Sequence, residues 1–268
     1  MPDSRPIGIF DSGVGGLTVL KALRTRLPSE SFVYLGDTAR VPYGTKSPAT
    51  VIRYSRELAG LLRDRKIKAL VVACNTASAT AMEALRHDFS LPMTGVIEPG
   101  AAAAVESTRS RSVLVLATQA TVQSGAYRNA IAARDPAIRI WERACPLFVP
   151  LAEEGWTDEV VTQLVAERYI GDLRRDPIDT VVLGCTHYPI LRGMIERAVR
   201  PGTAIVDSAE TTSRAVEKLL RLNALDAPPG SLSACRFLVT DSPERFRSVG
   251  ERFLGTPLAE VEEIRVGG

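Results

Sequence analysis

Short apolar runs alternate along the chain with longer segments in which apolar and polar residues recur at helical spacing. Nearly continuous runs such as Leu70–Ala73 are typical of parallel strands that helices cover on both faces. Strands that alternate with helices indicate an α/β fold with mostly parallel sheets. The predicted strands are Ile7–Phe10, Phe32–Leu35, Ala69–Ala73, Thr94–Ile97, Val113–Ala117, Ile138–Glu142, Thr180–Gly184, Ala204–Val206 and Phe237–Val239.

Two of the helical segments begin with the same signal, a serine followed by a proline. Ser47-Pro48 stands before the predicted helix Ala49–Asp64, and Ser242-Pro243 stands before the predicted helix Arg245–Leu254. Because serine is a favoured N-cap and proline suits the first helical position, we expect each serine to cap its helix.

A weak internal repeat relates two parts of the chain. The aligned segments are Leu70–Thr76 with Val181–His187, Val96–Glu98 with Ile205–Asp207, and, more loosely, Ile7–Asp11 with Val113–Ala117. The three matches keep one order at similar offsets, whereas a single match between apolar strands would mean little. We therefore expect two pseudo-symmetric α/β domains facing a central cleft. Since the repeat unit is complete by Asp207, the first domain would contain residues 1–97 and 208–268, and the second residues 98–207.

The composition is typical of a soluble globular protein, with 45% hydrophobic and 24% charged residues among 268. A formal net charge of +2, with arginines spread along the chain, argues against nucleic-acid binding. No apolar run approaches the roughly 18 residues of a membrane-spanning helix, and the first ten residues do not resemble a secretory signal. The four cysteines lack metal-ligand spacing, so we expect reduced thiols in a cytoplasmic protein without a metal site.

Cys74 and Cys185 occupy matching positions of the repeat, each directly after an apolar strand. In open α/β sheets, sites form outside the carboxyl ends of the strands, where helix N-termini lower the pKa of a thiol. A single cysteine of this kind is more often a small buried hydrophobe, but a matched pair favours a function. If one thiolate removes a proton from a tetrahedral carbon, a thiol on the opposite face can return one, which inverts the carbon without a cofactor.

Polar residues beside the thiols and in one glycine-rich loop extend the candidate site. Asn75-Thr76 and Thr186-His187 follow the two cysteines and are able to bind a carboxylate. The loop Asp11–Gly16 follows a strand but lacks the third glycine of a dinucleotide-binding fingerprint. Asp11 suits an ammonium group better than a pyrophosphate, and Ser12 is available to a carboxylate. A simple strand-to-helix turn is the alternative.

Several other polar residues have two interpretations. Pro42-Tyr43-Gly44 either offers backbone donors to a ligand or forms only a tight turn. Glu153 either points into the cleft or lies on the surface, and His187 either polarises Cys185 or binds the ligand. We expect the two remaining cysteines, Cys145 and Cys235, to be structural. No lysine has a setting that suggests a Schiff base.

Six motifs, taken in order, resemble those of bacterial glutamate racemases. These are cofactor-independent enzymes that interconvert L- and D-glutamate for peptidoglycan synthesis, and the resemblance extends from Ile7 to Glu210. The motifs are Phe10–Leu17, Gly36-Asp37 with Pro42–Gly44, Ala73–Ala77, Glu153–Gly155, Gly184–Pro189 and Val206–Ser208.

The resemblance implies roles for ten residues. Cys74 and Cys185 would be the two acid–base thiols, with Cys74 serving D-glutamate and Cys185 serving L-glutamate. The implied substrate-binding residues are Asp11, Ser12, Tyr43, Gly44, Asn75, Thr76, Thr186 and His187. Asp11 and His187 would also assist the thiols, with Glu153 as a further candidate. No cofactor and no metal is expected.

The chain departs from the family pattern at two alanines. Ala117 stands where glycine is usual, and Ala152 stands where a larger aliphatic residue is common. We expect the Ala117 methyl group to narrow the approach to substrate near Thr118.

Two alternatives stay open at this point, an aspartate racemase of the same superfamily and a non-catalytic amino-acid-binding protein. Binding alone would need neither cysteine, which argues against the second. We expect a homodimer, with no contact to membrane or nucleic acid. Members of the family differ in dimer geometry and in control by a cell-wall precursor, and some are described as also restraining DNA gyrase.

Overall fold

The computed structural model describes residues 3–258 and 260–266, which alternate between strands and helices. The strands are β1 (Ile7–Asp11), β2 (Phe32–Gly36), β3 (Ala69–Val72), β4 (Met93–Gly95), β5 (Ser112–Ala117), β6 (Arg139–Ala144), β7 (Thr180–Gly184), β8 (Ala204–Asp207), β9 (Cys235–Val239) and β10 (Val261–Glu263). The α-helices are α1 (Leu17–Arg26), α2 (Pro48–Asp64), α3 (Asn75–Asp88), α4 (Ile97–Ser107), α5 (Gln119–Ser124), α6 (Ala126–Ala132), α7 (Phe148–Glu154), α8 (Val160–Ile170), α9 (Arg192–Ala198), α10 (Ser208–Leu222) and α11 (Pro243–Leu254). Short 3₁₀ helices cover Thr38–Arg40, Tyr43–Thr45, Gly171–Arg175 and Tyr188–Leu191.

The strands form two sheets, and every pairing between described strands is parallel. The first sheet has the order β10-β9-β2-β1-β3-β4, and the second has the order β6-β5-β7-β8. The central strands β1, β3, β5 and β7 are buried along their whole length, as expected for strands between two helical layers. The prediction of an α/β fold with mostly parallel sheets is confirmed.

The two sheets share one strand order, because β2-β1-β3-β4 in the first matches β6-β5-β7-β8 in the second. Two of the aligned segment pairs, which centre on β1 with β5 and on β3 with β7, occupy equivalent places. The remaining alignment, of Val96–Glu98 with Ile205–Asp207, is wrong in register. The predicted strand Thr94–Ile97 ends at Gly95, and Ile97 begins α4. A helix starts there because Glu98 favours the helix N-terminus and Pro99 needs no N–H in a first turn.

The chain returns to the first sheet after β8. Strand β9 pairs with β2, and β10 pairs with β9 at the edge of that sheet. Strand β10 was not predicted, because Val261–Glu263 is short and carries two exposed glutamates. This sheet membership supports the proposed division into residues 1–97 with 208–268 and residues 98–207. The outer limits of the first domain, residues 1 and 268, lie outside the described residues.

The two serine–proline signals differ in outcome. Ser47 caps α2, since its Oγ accepts a hydrogen bond from the Thr50 N–H. Ser242 precedes α11 but makes no capping hydrogen bond. Its backbone is left-handed, with φ of 52°, whereas a capping serine normally has an extended backbone. Within residues 3–258 and 260–266, no helix has both the length and the apolar character needed to cross a bilayer.

Candidate active site

A cavity of about 170 Å³ lies at the carboxyl ends of strands from both sheets, and both Cys74 and Cys185 line it. Cys74 follows β3 of the first sheet, and Cys185 follows β7 of the second. Each residue is only 5% exposed. The other lining residues are Ser12, Gly13, Val41, Pro42, Tyr43, Gly44, Thr45, Asn75, Thr76, Thr118, Gln119, Pro146, Val149, Pro150, Glu153, Thr186 and His187.

Nine of the ten predicted site residues line this cavity, and the tenth, Asp11, lies behind its wall. Asp11 is fully buried at the end of β1, and its Oδ2 accepts a hydrogen bond from the Gly13 N–H at 2.9 Å. Burial raises the pKa of this carboxyl, while His187 and the loop N–H groups oppose the rise. Asp11 can therefore act on the cavity through its charge and through the position of the glycine loop.

Cys74 is the N-cap residue of α3, and its Sγ donates a hydrogen bond to the Ser12 Oγ at 3.6 Å. The sequence predicted that the helix N-terminus lowers the pKa of this thiol. The structure corrects this: burial and the Asp11 carboxylate raise the pKa of Cys74 to about 12, against the hydrogen bond from the Ala77 N–H. In this environment Cys74 carries its proton at neutral pH and is equipped to donate it.

Cys185 lies at the inner end of a line of polar groups. The His187 Nδ1 lies 3.8 Å from the Cys185 Sγ, and the His187 Nε2 lies 3.1 Å from the Glu153 Oε1. Arg245 of α11 follows, with its Nη2 3.6 Å from the Glu153 Oε2. His187 is therefore close enough to the Cys185 thiol to exchange a proton with it. The sequence was consistent with Glu153 either in the cleft or on the surface, and the structure places it in the cavity wall.

Burial and hydrogen bonding oppose each other at His187 and Glu153. Burial alone would lower the pKa of His187, but its contacts with Cys185 and Glu153 raise that pKa above the usual histidine value. The hydrogen bond from His187 lowers the pKa of Glu153, although burial works in the other direction. The two side chains thus hold each other in the charged forms.

Amide and hydroxyl groups on the cavity wall can bind a carboxylate. The Asn75 Oδ1 accepts a hydrogen bond from the Tyr127 hydroxyl at 2.8 Å, and the Asn75 Nδ2 has no hydrogen-bond partner among the described residues. The Oγ1 atoms of Thr76, Thr118 and Thr121 lie between 2.9 and 3.3 Å from one another. These side chains come from both halves of the chain.

The segment Pro42-Tyr43-Gly44 satisfies both of its interpretations, since it forms a tight 3₁₀ turn and also lines the cavity. The Tyr43 hydroxyl donates to the Asp37 carboxylate, so it is not free for a ligand. Burial and Asp37 raise the pKa of Tyr43 far above its usual value, so that the hydroxyl keeps its proton. Tyr43 and Gly44 thus offer their backbone rather than a side-chain donor.

The expectation for Ala117 is wrong. Ala117 is fully buried, does not line the cavity, and packs in an apolar core that also contains Ile97 and Val206. Its methyl group lies 3.1 Å from the position that a Cβ on Gly184 would occupy. Ala152, the other departure from the family pattern, is also fully buried, in α7.

Six lining residues received no role from the sequence: Val41, Thr45, Gln119, Pro146, Val149 and Pro150. The repeat did contain a signal for their neighbour Thr118, because aligning β1 with β5 places Thr118 opposite Ser12. Neither Cys145 nor Cys235 lines the cavity. In the described part of the chain, no three His, Cys, Asp or Glu side chains are grouped so that they could hold a metal ion.

Comparison with known proteins identifies the family. The family described as Asp/Glu/Hydantoin racemase matches residues 17–216. The chain is 53% identical to the glutamate racemase of Geobacter metallireducens over 260 residues, which cover 97% of this chain and 96% of that protein. The chain belongs to the glutamate racemase family. The resemblance indicated by the six motifs is thereby confirmed, and this racemase is an isomerase.

Solved structures agree with this assignment. Glutamate racemase from Thermus thermophilus, in complex with β-chloro-D-alanine, is 47% identical with a TM-score of 0.89, over 99% of this chain and 98% of that one. Glutamate racemase from Francisella tularensis, in complex with D-glutamate, is 39% identical with a TM-score of 0.91, over 98% of each chain. The two-sheet architecture of this racemase is therefore that of its relatives.

Proposed function

We propose that this racemase interconverts L- and D-glutamate by exchanging a proton between each face of the α-carbon and one of two thiols. The observation that carries the proposal is the placement of Cys74 and Cys185, at the ends of strands from different sheets, on one cavity. Relatives named glutamate racemase, one of them solved with D-glutamate, support glutamate as the substrate. The D-glutamate formed would supply peptidoglycan synthesis.

The wall of the cavity suits the groups of an amino acid with two carboxylates. Asn75 through its Nδ2, together with Thr76, Thr186 and Ser12 through their hydroxyls, would donate hydrogen bonds to the carboxylates. Gly44 would contribute through its backbone. The buried charge of Asp11 beneath the Gly13 loop favours a substrate ammonium group nearby.

The proton balance of the reaction uses one thiolate and one thiol in each turnover. In the D-to-L direction the Cys74 thiolate removes the α-proton, and Cys185 then donates its own proton to the opposite face of the carbanion. The L-to-D direction reverses these roles, with Cys185 as the base. Each turnover moves one proton from the substrate to one thiol and one proton from the other thiol to the product.

Substrate binding helps to form the thiolate on the Cys74 side. The Asp11 carboxylate is one of the causes that raise the pKa of Cys74. A bound ammonium group opposes that charge and lowers the cost of the thiolate. On the other side, His187 exchanges a proton with Cys185, and Glu153 keeps the ring oriented.

Incubation of D-glutamate in deuterated water tests the proposal. We expect the circular dichroism of the amino acid to decay to zero without added cofactor, with deuterium entering the α-position of the product. A chelator or a carbonyl-trapping reagent should leave the rate unchanged. Turnover of aspartate instead of glutamate would favour the aspartate racemase, and binding without turnover would favour the binding protein.

We also propose that the enzyme is a homodimer. Trp156, Val160 and Leu164, at and just before α8, are 48%, 74% and 64% exposed, so this segment of the chain presents several large apolar side chains to solvent. A second copy of the chain would remove them from water. Light scattering of the purified protein should give twice the 28.9 kDa mass of one chain, and a monomeric mass would contradict this.

A further inference from the structure

Tyr127 is a fully buried tyrosine that the cavity lining does not include. It lies in α6 of the second half of the chain, and its hydroxyl donates a hydrogen bond to the Asn75 Oδ1 at 2.8 Å. Asn75 begins α3 in the first half and directly follows Cys74. Tyr127 therefore connects the two halves at the residue next to one of the thiols.

The same ring also touches the residue that precedes the other thiol. A Cβ on Gly184, directly before Cys185, would lie 3.0 Å from the Tyr127 Cε2, and a Cβ on Gly100 would lie 3.2 Å from the Tyr127 Cε1. The ring thus occupies a slot that exists because both positions are glycine. A side chain held this tightly has one available position, so the direction of its hydroxyl is fixed.

The hydroxyl determines which end of the Asn75 amide faces the cavity. Burial, with Cys185 and Asp207 nearby, raises the pKa of Tyr127, so its proton stays in place and the group donates. A phenol donates to an amide oxygen more strongly than it accepts from an amide N–H. The Asn75 Oδ1 is therefore turned toward Tyr127, and the Nδ2, a buried donor without a partner in the described residues, is left for the substrate.

We propose that Tyr127 is a positioning residue, which holds the Asn75 amide with its NH₂ group toward a substrate carboxylate. This inference rests on the proposed function, since it takes Asn75 to bind glutamate. Tyr127 touches no reacting atom and acts through Asn75.

The Tyr127→Phe variant removes the hydroxyl and keeps the ring in its slot. Because one hydrogen bond is lost, we expect the KM for D- and L-glutamate to rise about tenfold, with a smaller change in kcat. The decisive comparison uses Asn75→Ala. In that background, adding Tyr127→Phe should produce no further rise in KM, since the amide that Tyr127 positions is gone.

Two results would overturn the inference. The first is a Tyr127→Phe enzyme with reduced thermal stability and unchanged KM, which would indicate a purely structural role. The second is a further rise in KM when Tyr127→Phe is added to Asn75→Ala, by the same factor as in the wild-type enzyme. Tyr169→Phe is the matched control. It removes a tyrosine hydroxyl from the same half of the chain, one whose hydrogen bond among the described residues comes from the Leu147 N–H, and we expect an unchanged KM. A wild-type enzyme inactive on glutamate would instead refute the proposed function.

Asn75→Asp tests the amide orientation even if Tyr127→Phe does not fold. An aspartate has the same shape and can still accept the Tyr127 hydrogen bond, but it presents an oxygen where the NH₂ group was. Because a buried carboxylate without a pairing cation costs free energy, we expect a lower Tm than wild type, and in the folded variant roughly a hundredfold weaker binding of D-glutamate. Binding close to the wild-type level would show that the NH₂ group does not face the substrate, which contradicts the inference.

Discussion

Replacing Gly15 with alanine tests how closely the glycine loop is packed against the Cys185 side of the site. A Cβ at position 15 would lie 2.3 Å from the Thr186 Oγ1 and 2.5 Å from the His187 Nδ1. Contacts this short are not tolerated, so the new methyl group must displace both side chains. The displaced nitrogen is the one that lies 3.8 Å from the Cys185 Sγ.

The expected losses in stability and activity follow from this displacement. Overpacking of this kind lowers the free energy of unfolding by about 1–3 kcal/mol. In a chain of this size, each kcal/mol lost lowers Tm by about 2–4 °C. Removing a group that assists proton transfer costs roughly 10²-fold or more, so we expect kcat/KM of Gly15→Ala to fall by at least that factor. Because the two enantiomers have equal free energy in water, kcat/KM must fall equally in both directions.

A one-sided reaction is therefore needed to show which thiol is affected. Elimination of a leaving group from a β-substituted glutamate analogue requires only one base, and by the proposal the L analogue uses Cys185. We expect Gly15→Ala to slow elimination from the L analogue more than from the D analogue. Gly60→Ala is the control. Apart from its chain neighbours and the backbone of α2 itself, no atom of the described residues lies within 4 Å of the added methyl group, so stability should rise by about 0.5–1 kcal/mol with activity unchanged.

Racemisation and elimination by Gly15→Ala at wild-type rates would refute the reasoning. Equal slowing of elimination from both analogues would show that the damage is not confined to the Cys185 side.

Three other predictions concern single side chains. Glu153→Gln should lower Tm most at a pH well above the ordinary glutamate pKa of 4.5, because the contacts that lower the pKa of Glu153 stabilise only its ionised form. The loss of Tm should shrink as the pH falls through the lowered pKa of Glu153. A loss that does not depend on pH would contradict this. Ala117→Gly should leave KM unchanged and lower the free energy of unfolding by about 1 kcal/mol in denaturant. A lowered KM would instead show that the Ala117 methyl group narrows the approach of the substrate. Lys68→Met should cost about 3–5 kcal/mol, because it leaves Glu30 buried without the ammonium group that pairs with it. Adding Glu30→Gln should recover much of that loss, and no recovery would refute the pairing argument.

The strand pattern could be predicted where burial is continuous. The central strands are covered on both faces, so their apolar runs mark them in the sequence. Where an apolar pair begins a helix, as at Val96-Ile97, the same signal gave a strand that ends too late. Strand β10 lies at a sheet edge with exposed glutamates, so periodicity carried no signal for it.

The position of the thiols was also accessible from the sequence, because the repeat places both after equivalent strands. Their chemistry was not. The raised pKa of Cys74 depends on its burial and on the Asp11 carboxylate, which only the folded chain brings close. The contacts of Tyr127 with Asn75 and Gly184 likewise join distant segments, and no local pattern marks them.

The central claim, two thiols that act as separate bases on opposite faces, is tested most directly by elimination from both enantiomers of a β-substituted glutamate analogue by Cys74→Ser and Cys185→Ser. A serine hydroxyl is a far weaker acid than a thiol, so each variant should lose racemisation by about 10²–10⁴-fold or more. The account predicts that Cys185→Ser still processes the D analogue and that Cys74→Ser still processes the L analogue. The opposite pairing would keep two bases and reverse the faces, whereas equal loss on both enantiomers in both variants would contradict the account.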